Sequence, residues 1–490
     1  MKKLCAVCAL VCGLLLTAPF ALASGELPYQ PYNYDYRENI VFTPAAYAPD
    51  QSVSGVTLNI GAFSNPQGMC VDGDGNIYIA DTGNHRIVVL SPDMKSVIDI
   101  IESFSNNGAA DKFQMPTGVT VSSKKVLYVA DSANRRIVAL GNEKGSYGEV
   151  VKIISDPQSE ILGDEYVFTP LKVAVDYADR VYCVARGMFQ GLMVFDSEGS
   201  FTGFFGTIKV NITVMERFWR FFSTKEERQK QLLFIPTEFT GIDVDADGFV
   251  YAANIDPTGT QAVRRMNPKG EDIIKKGVNA NVGGDLTING FNAYAGPSNI
   301  VDVVVRGHGM YSLLDSRRGR VFTYDHEGNL LYVFGGIGSQ AGVFRTPVSI
   351  EASEGRILVL DSYRAEVITF KETEYGALIN EAVSLRYDGD ETQAVEKWRK
   401  VLALDENFEL ANTGIGKAYL ASGENELAMT YLKRGMNREY YSVAFKRYRN
   451  DVLKANLGTI LTGALVIGAG LIIVRVVKKR GKGEEGASYD

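Results

Sequence analysis

Four aspartates recur at equivalent places along this 490-residue chain, and their spacing is the clearest sign of shared chemistry. They end four apolar runs, at Asp81, Asp131, Asp315 and Asp361. Carboxylates gathered on one face of a repeat protein can bind a cation or a polyol. The alternative is an ion pair inside each repeat, and it is the favoured interpretation. The expected partners are Arg86, Arg136 and Arg320, with Glu366 at that place in the last copy.

Other residue types that carry chemistry are sparse. A catalytic zinc site needs about three protein ligands, and the three histidines His85, His308 and His326 share no local motif. The Asp-Gly segments starting at Asp72 and Asp245 resemble calcium loops, but neither has a glutamate at position twelve. Hairpin turns explain both segments. The sequence therefore predicts no catalytic residue, no bound metal and no cofactor.

The elements that position these aspartates form a repeat. Each copy has an entry proline, two alternating apolar runs joined by a turn, and an arginine, which indicates hairpins of adjacent strands. The two clearest copies, from Pro66 and from Pro116, lie fifty positions apart in the same register. Such a period is typical of radial repeat architectures. Six copies are counted from the prolines at 66, 116, 170, 236, 297 and 347.

The segments from Tyr78 to Ile87 and from Tyr128 to Ile137 resemble the NHL-repeat family, with an apolar-Tyr-apolar-Ala-Asp strand followed by Asn-x-Arg-Ile. Ala185 and Asn254 replace the aspartate in the third and fourth copies. The resemblance implies a six-bladed β-propeller over residues 51–372. Related propellers include zinc-dependent lyases and lactonases that hold a divalent ion, but propellers host many unrelated activities.

The sequence has an export signal near its N-terminus and a membrane-anchor signal near its C-terminus. Residues 1–23 have the charged start, apolar run and small-x-small site of a secretory signal peptide. Once the signal is removed, Cys70 and Cys183 remain, so a disulfide framework is excluded by count and two buried thiols are expected. Residues 24–50 are rich in proline and tyrosine, and we expect an extended arm that packs on the propeller or binds a partner.

A transmembrane helix is predicted at residues 456–477, where Leu457 to Val474 carry no charge. The basic cluster that begins the tail 478–490 favours a cytoplasmic C-terminus and an extracytoplasmic body. Four basic residues before the helix oppose that orientation: Lys446, Arg447, Arg449 and Lys454. The expected location is the cell membrane, with a single pass. Ala464 and Gly468 have the spacing of a helix-pairing motif, so a homodimer is a further expectation.

Between propeller and membrane, residues 373–455 switch to helical periodicity. Three pairs of residues recur 34 positions apart: Gly389 with Gly423, Ala394 with Ala428, and Trp398 with Leu432. This period resembles tetratricopeptide (TPR) repeats. The segment is therefore expected to be a spacer or dimer contact, with a peptide-binding groove as the alternative.

An insertion at residues 213–233 does not fit a blade. Its aromatic side chains lie at helical spacing and make it a candidate interaction element, and the alternatives are burial in its own domain or contact with a membrane surface. The residues concerned are Phe218, Trp219, Phe221 and Phe222.

The chain has 51 basic and 58 acidic residues, a net charge of -7 that argues against nucleic-acid binding. The sequence as a whole predicts a mainly β protein with α, namely a six-bladed propeller, TPR-like helices and one membrane helix. The predicted function is a non-catalytic membrane-anchored scaffold that binds a protein, peptide or glycan. The alternative is an extracytoplasmic propeller enzyme of the lactonase or lyase kind.

Overall fold

The structure is a computed structural model of the chain. It describes residues 27–143, 146–155, 157, 162, 166–207, 238–256, 261–277, 283–286 and 296–484. The chain divides into two compact units, residues 1–377 and residues 378–490. The predicted signal peptide and the insertion 213–233 lie outside the described residues.

The first unit is a six-bladed β-propeller, as the repeat predicts. Within each blade, sequence-adjacent strands pair antiparallel. The innermost strand of every blade contacts those of the two neighbouring blades, and the sixth contacts the first, so the ring is closed. The six inner strands are Gly68–Val71, Pro116–Val121, Pro170–Val175, Phe239–Val244, Ile300–Val305 and Pro347–Ser353.

The remaining strands follow outward in each blade. The second strands are Ile77–Asp81, Leu127–Asp131, Val181–Ala185, Val250–Asn254, Tyr311–Asp315 and Arg356–Asp361. The third strands are Arg86–Leu90, Arg136–Glu143, Leu192–Phe195, Val263–Met266, Arg320–Tyr324 and Glu366–Glu372. Outer strands of blades 1, 2, 3 and 5 are Val97–Ile101, Ser146–Ser155, Phe201–Phe205 and Leu330–Phe334.

Blade 6 takes its outer strand from the N-terminal side of the chain. Tyr47–Ser54 pairs antiparallel with Glu366–Glu372, with Val53 opposite Val367. The two ends of the propeller sequence therefore share one sheet. This pairing removes a free edge and ties the ring shut.

Burial on both faces explains the repeated motif in the second strands. In blade 1, Tyr78 and Ala80 pack into a core shared with blade 2, whereas Ile77 and Ile79 pack into a core shared with blade 6. Alternate residues of a strand point to opposite faces. Because both faces meet a neighbouring blade, every residue of Ile77–Asp81 is buried.

Glycines allow the inner strands to approach one another. A Cβ atom at Gly68, Gly118 or Gly241 would lie 2.4, 2.6 or 2.5 Å from the backbone of the next blade. Real Cβ contacts are not that short, so a larger residue there would push the blades apart.

Additional strands pair with the outer edges of blade 5 and blade 2. The Pro/Tyr-rich arm packs on the propeller: Tyr32–Tyr34 adds to the outer strand of blade 5, and Ile40–Phe42 adds to Tyr32–Tyr34. Ser103–Asn106 and Ala109–Lys112 extend blade 2. Blade 4 has three strands among the described residues.

The C-terminal region is helical. Its five helices are α1 Glu374–Tyr387, α2 Glu391–Leu404, α3 Glu409–Ser422, α4 Asn425–Arg434 and α5 Arg438–Glu484. The pairs spaced by 34 residues have matching environments. Gly389 and Gly423 have φ of 87° and 83°, and Ala394 with Ala428 and Trp398 with Leu432 are buried. The assignment to tetratricopeptide repeats stays a prediction.

Helix α5 contains the predicted membrane segment. It is 47 residues long, and its apolar part is exposed from Leu457 to Val474, except for a partly buried Gly468. By length and composition it is the one helix among the described residues that could cross a membrane. It begins at Arg438, as expected for a helix from about Glu439 that runs straight into the membrane segment 456–477 without a break.

Candidate functional site

The four repeated aspartates lie inside their blades with no solvent exposure. Each closes the end of a second strand and accepts a hydrogen bond from the loop that enters the same blade. The Asp81 carboxylate accepts from the Ser64 N–H at 2.7 Å, and Asp131 accepts from Gln114 at 2.6 Å. These contacts fasten the entry loops.

The partners of the aspartates agree with the sequence in blades 1, 2 and 6 and differ in blade 5. Nε of Arg86 and Nε of Arg136 each donate at 2.8 Å, to Asp81 and Asp131. Asp315 instead contacts Arg318 at 3.5 Å, and the predicted partner Arg320 donates to the Gly335 carbonyl oxygen. In blade 6 the Asp361 carboxylate accepts backbone N–H groups, from Arg345, Thr346 and Arg364.

The calcium-like segments form hairpin turns. Oδ1 of Asp72 accepts the N–H groups of Asp74 and Asn76, at 2.9 and 2.8 Å. Oδ1 of Asp245 accepts those of Asp247 and Phe249, at 3.0 and 2.8 Å. Each carboxylate therefore braces its own turn. Across the described residues, no group of three or more His, Cys, Asp or Glu side chains is placed to hold a metal ion.

The histidines and cysteines are dispersed. Nδ1 of His85, in the turn between the second and third strands of blade 1, accepts the N–H of Met115 at 3.0 Å, just before the inner strand of blade 2. Cys70 and Cys183 are free and buried, as predicted. Burial raises the pKa of both thiols above the ordinary value, which disfavours the reactive thiolate. The aromatic candidates Phe218, Trp219, Phe221 and Phe222 lie outside the described residues.

A polar cluster that the sequence did not predict lies where the inner strands meet around the propeller axis. Nζ of Lys172, in blade 3, is 3.2 Å from Oδ2 of Asp302 in blade 5 and 3.3 Å from Oγ of Ser349 in blade 6. Ser349 donates to Asp302 at 2.7 Å, and the Ile350 N–H donates at 3.1 Å. Lys172 thus bridges three blades, and we call these residues and the two carboxyls described next the axial cluster.

Two further carboxyls complete the axial cluster. Asp243 of blade 4 and Glu351 of blade 6 lie two residues further along their strands, in the register of Tyr251 and Leu358. The Asp243 carboxylate accepts the N–H groups of Val305 and Val244, at 2.6 and 2.8 Å. The ammonium group of Lys172 therefore acts on Asp302 and Glu351, and Asp243 acts on the same two carboxyls, so the axial cluster draws on four blades.

Burial dominates the electrostatics of the axial cluster. It raises the pKa of Asp243 to about 7, against the lowering effect of the two backbone N–H groups. Burial also raises the pKa of Glu351, and the neighbouring charges of Asp243 and Asp302 raise it further. Lys172 acts in the opposite direction on Glu351. A pKa of about 7 lies near neutral pH, in the range that suits general acids and bases.

A sequence signal for the axial cluster existed but is weak. At the place of Lys172, Asp302 and Ser349, the other three blades have the glycines at 68, 118 and 241. At the place of Asp243 and Glu351, the remaining blades have Cys70, Thr120, Ala174 and Val304. Charged residues at positions that are otherwise small or apolar mark the axis. Reading this signal requires the exact strand register of all six blades.

Comparisons with known proteins support the repeat. The family model of the NHL repeat matches residues 63–90, which hold the inner, second and third strands of blade 1. The comparison with curated proteins gave no match.

Several solved structures resemble the chain weakly. Virginiamycin B lyase from Staphylococcus aureus has 10% identity and a TM-score of 0.40, covering 66% of this chain and 99% of its own. The PQQ-bound aldose sugar dehydrogenase from Streptomyces coelicolor has 10% identity and a TM-score of 0.40, covering 67% and 99%. A protein of unknown function from Bacteroides thetaiotaomicron has 14% identity and a TM-score of 0.41, covering 70% and 76%. At this similarity no activity is transferred.

Proposed function

We propose that the chain is a membrane-anchored binding protein that presents a propeller and paired helices outside the cytoplasm to a protein, peptide or glycan. The observation that carries the proposal is the continuity of α5. Its first part is joined to the preceding helices, since Ala444 is buried, Arg447 donates to the Leu420 carbonyl oxygen at 3.0 Å, and Asp451 accepts from Asn425 at 2.7 Å.

The second part of α5 supports an anchor. An exposed run of about 18 apolar residues is costly in water and matches the lower limit for spanning a bilayer. In the same helix, Lys478, Lys479 and Arg480 follow the run and favour a cytoplasmic tail. A propeller tied to such a helix remains near the membrane and presents its loops to partners there. The paired helices act as a spacer or dimer contact, with a peptide groove as the alternative.

Protease accessibility tests the topology. A chain with a C-terminal tag is expressed in a bacterial host, and protease is added to spheroplasts. We expect loss of the propeller and survival of a short tagged fragment, because only the tail lies inside. A permeabilised sample is the control, in which the tag is also lost. Protection of the propeller together with loss of the tag would reverse the orientation, and release of the chain by alkaline carbonate would reject the anchor.

The axial cluster favours a second candidate function, a propeller hydrolase or lyase. The observation that supports this candidate is the convergence of Asp243, Glu351 and the Lys172–Asp302 pair, together with a pKa of about 7 for Asp243. A group of that pKa can accept and return a proton at neutral pH. The test is hydrolysis of a simple aromatic lactone by the full chain and by Asp243→Asn. Activity lost in the variant would support the enzyme, and equal rates in both would reject it.

A further inference from the structure

The part of α5 that precedes the apolar run has an unusual charge for this chain. Between residues 438 and 456 there are five basic residues and two acidic ones, a net of +3 in a chain whose total is -7. One acidic residue, Asp451, is already held by Asn425 at 2.7 Å. The Asn425 amide carries no charge, so this hydrogen bond leaves the net charge of the segment at +3.

Helical geometry separates two faces of this segment. Ala444, Arg447 and Asp451 recur at three- and four-residue spacing and form the face that contacts α3 and α4. Lys446, Arg449 and Leu453 follow the same spacing on the opposite face. Lys454 lies two turns after Arg447 on the side of the packed face, at a point where the helix is exposed all round. All four are exposed, Leu453 by 47%. Within residues 296–484, none of the three basic side chains forms an ion pair.

The continuity of the helix fixes their distance from the apolar run. At 1.5 Å per residue, Lys454, Arg449 and Lys446 lie about 4, 12 and 16 Å before Leu457 along the helix axis. The polar headgroup zone on each side of a bilayer is about 5 to 7 Å thick. Lys454 therefore lies at headgroup depth, and Arg449 lies within about one Debye length of the surface. Two exposed apolar residues, Val452 and Leu453, lie between Arg449 and Lys454 on the same stretch of helix.

We propose that Lys446, Arg449 and Lys454 bind the anionic phospholipid headgroups of the leaflet on the propeller's side of the membrane. The inference rests on the proposed anchor. Positive charges attract an anionic surface with a strength that falls off within a Debye length. The contributions should therefore decrease in the order Lys454, Arg449, Lys446. The contact would hold residues 438–456 of α5, and the helices packed on them, close to the bilayer.

The test uses the full chain in lipid nanodiscs, made of phosphatidylcholine alone or mixed with phosphatidylglycerol. Amide hydrogen exchange is measured across residues 446–456. One cation near an anionic surface contributes roughly 1 kcal/mol, so we expect exchange to slow by at least about fivefold in the mixed discs. High salt should remove the difference, because it screens exposed charges.

Two triple variants separate specific binding from general charge. The combination Lys446→Gln, Arg449→Gln and Lys454→Gln should abolish the lipid dependence. The control combination Lys400→Gln, Lys433→Gln and Arg434→Gln makes the same charge change on α2 and α4 and should preserve it. Equal loss in both variants, or no lipid dependence in the native chain, would overturn the inference alone. Failure of the native chain to remain in discs would reject the anchor and this inference together.

Discussion

Asp243→Asn should stabilise the propeller at alkaline pH and leave it nearly unchanged at acidic pH. An ordinary aspartate gives up its proton near pH 3.8, whereas folded Asp243 keeps its proton until about pH 7. The folded protein therefore binds one more proton between these two pH values. Raising the pH through this window lowers the free energy of unfolding, in the opposite sense to a salt-bridged carboxylate. Stability from this group is complete below about pH 4 and is lost as the pH passes 7.

The magnitude follows from the same two values. About three pKa units at 1.36 kcal/mol each give about 4 kcal/mol of destabilisation at pH 8. The asparagine amide keeps the size of the side chain and an oxygen that can accept the Val305 N–H, but it carries no charge. For a unit of this size we expect the variant to melt about 8 °C above the native chain at pH 8, at about 2 °C per kcal/mol.

The assay is thermal unfolding of the full chain in detergent, followed by circular dichroism from pH 5 to pH 8. Asp247, an exposed turn residue of the same blade, provides a matched control. Asp247→Asn removes one charge from blade 4 but leaves the axial cluster unchanged. Glu351 also has a raised pKa, so Asp243→Asn combined with Glu351→Gln should give the flattest pH profile. An Asp243→Asn chain that loses stability with pH as steeply as the native chain would refute the reasoning.

Gly118→Ala should lower the free energy of unfolding by about 3 kcal/mol, because its Cβ would lie 2.6 Å from the next blade's backbone; Gly73→Ala, in open space, is the control for denaturant melts. Asp131→Asn should cost about 2 kcal/mol through weaker bonds to the entry loop and Arg136, while a chelator should not shift the melting temperature. Lys172→Met should cost about 3 kcal/mol by leaving the Asp302 carboxylate without its ammonium, and equal stability of this variant and the native chain in urea would contradict the ion pair.

Local and periodic features were readable from the sequence. The entry prolines, the apolar-Tyr-apolar-Ala-Asp strands and their fixed register identified six blades, because each blade repeats the same packing problem with both strand faces buried. The pairs Asp81–Arg86 and Asp131–Arg136 were also predictable, since both partners end adjacent strands of one hairpin. The apolar run after Asn456 likewise depends only on composition.

Other contacts depended on tertiary structure. In blade 5, Arg318 rather than Arg320 lies beside Asp315, because the turn geometry and not the sequence offset decides which guanidinium reaches it. The strand Tyr32–Tyr34 of the arm pairs with Leu330–Phe334, the outer strand of blade 5. Periodicity carries no information on either outcome.

The axial cluster shows most clearly which features depend on the sequence pattern and which depend on tertiary structure. Lys172 and Asp302 are 130 positions apart, and Lys172 and Ser349 are 177 apart. Each is only an exception to its own blade's pattern, and no local rule relates them. They meet because six inner strands close into a ring, which brings the same strand position of every blade to one axis. The sequence by itself determined the blades, and ring closure decided which of their side chains share a site.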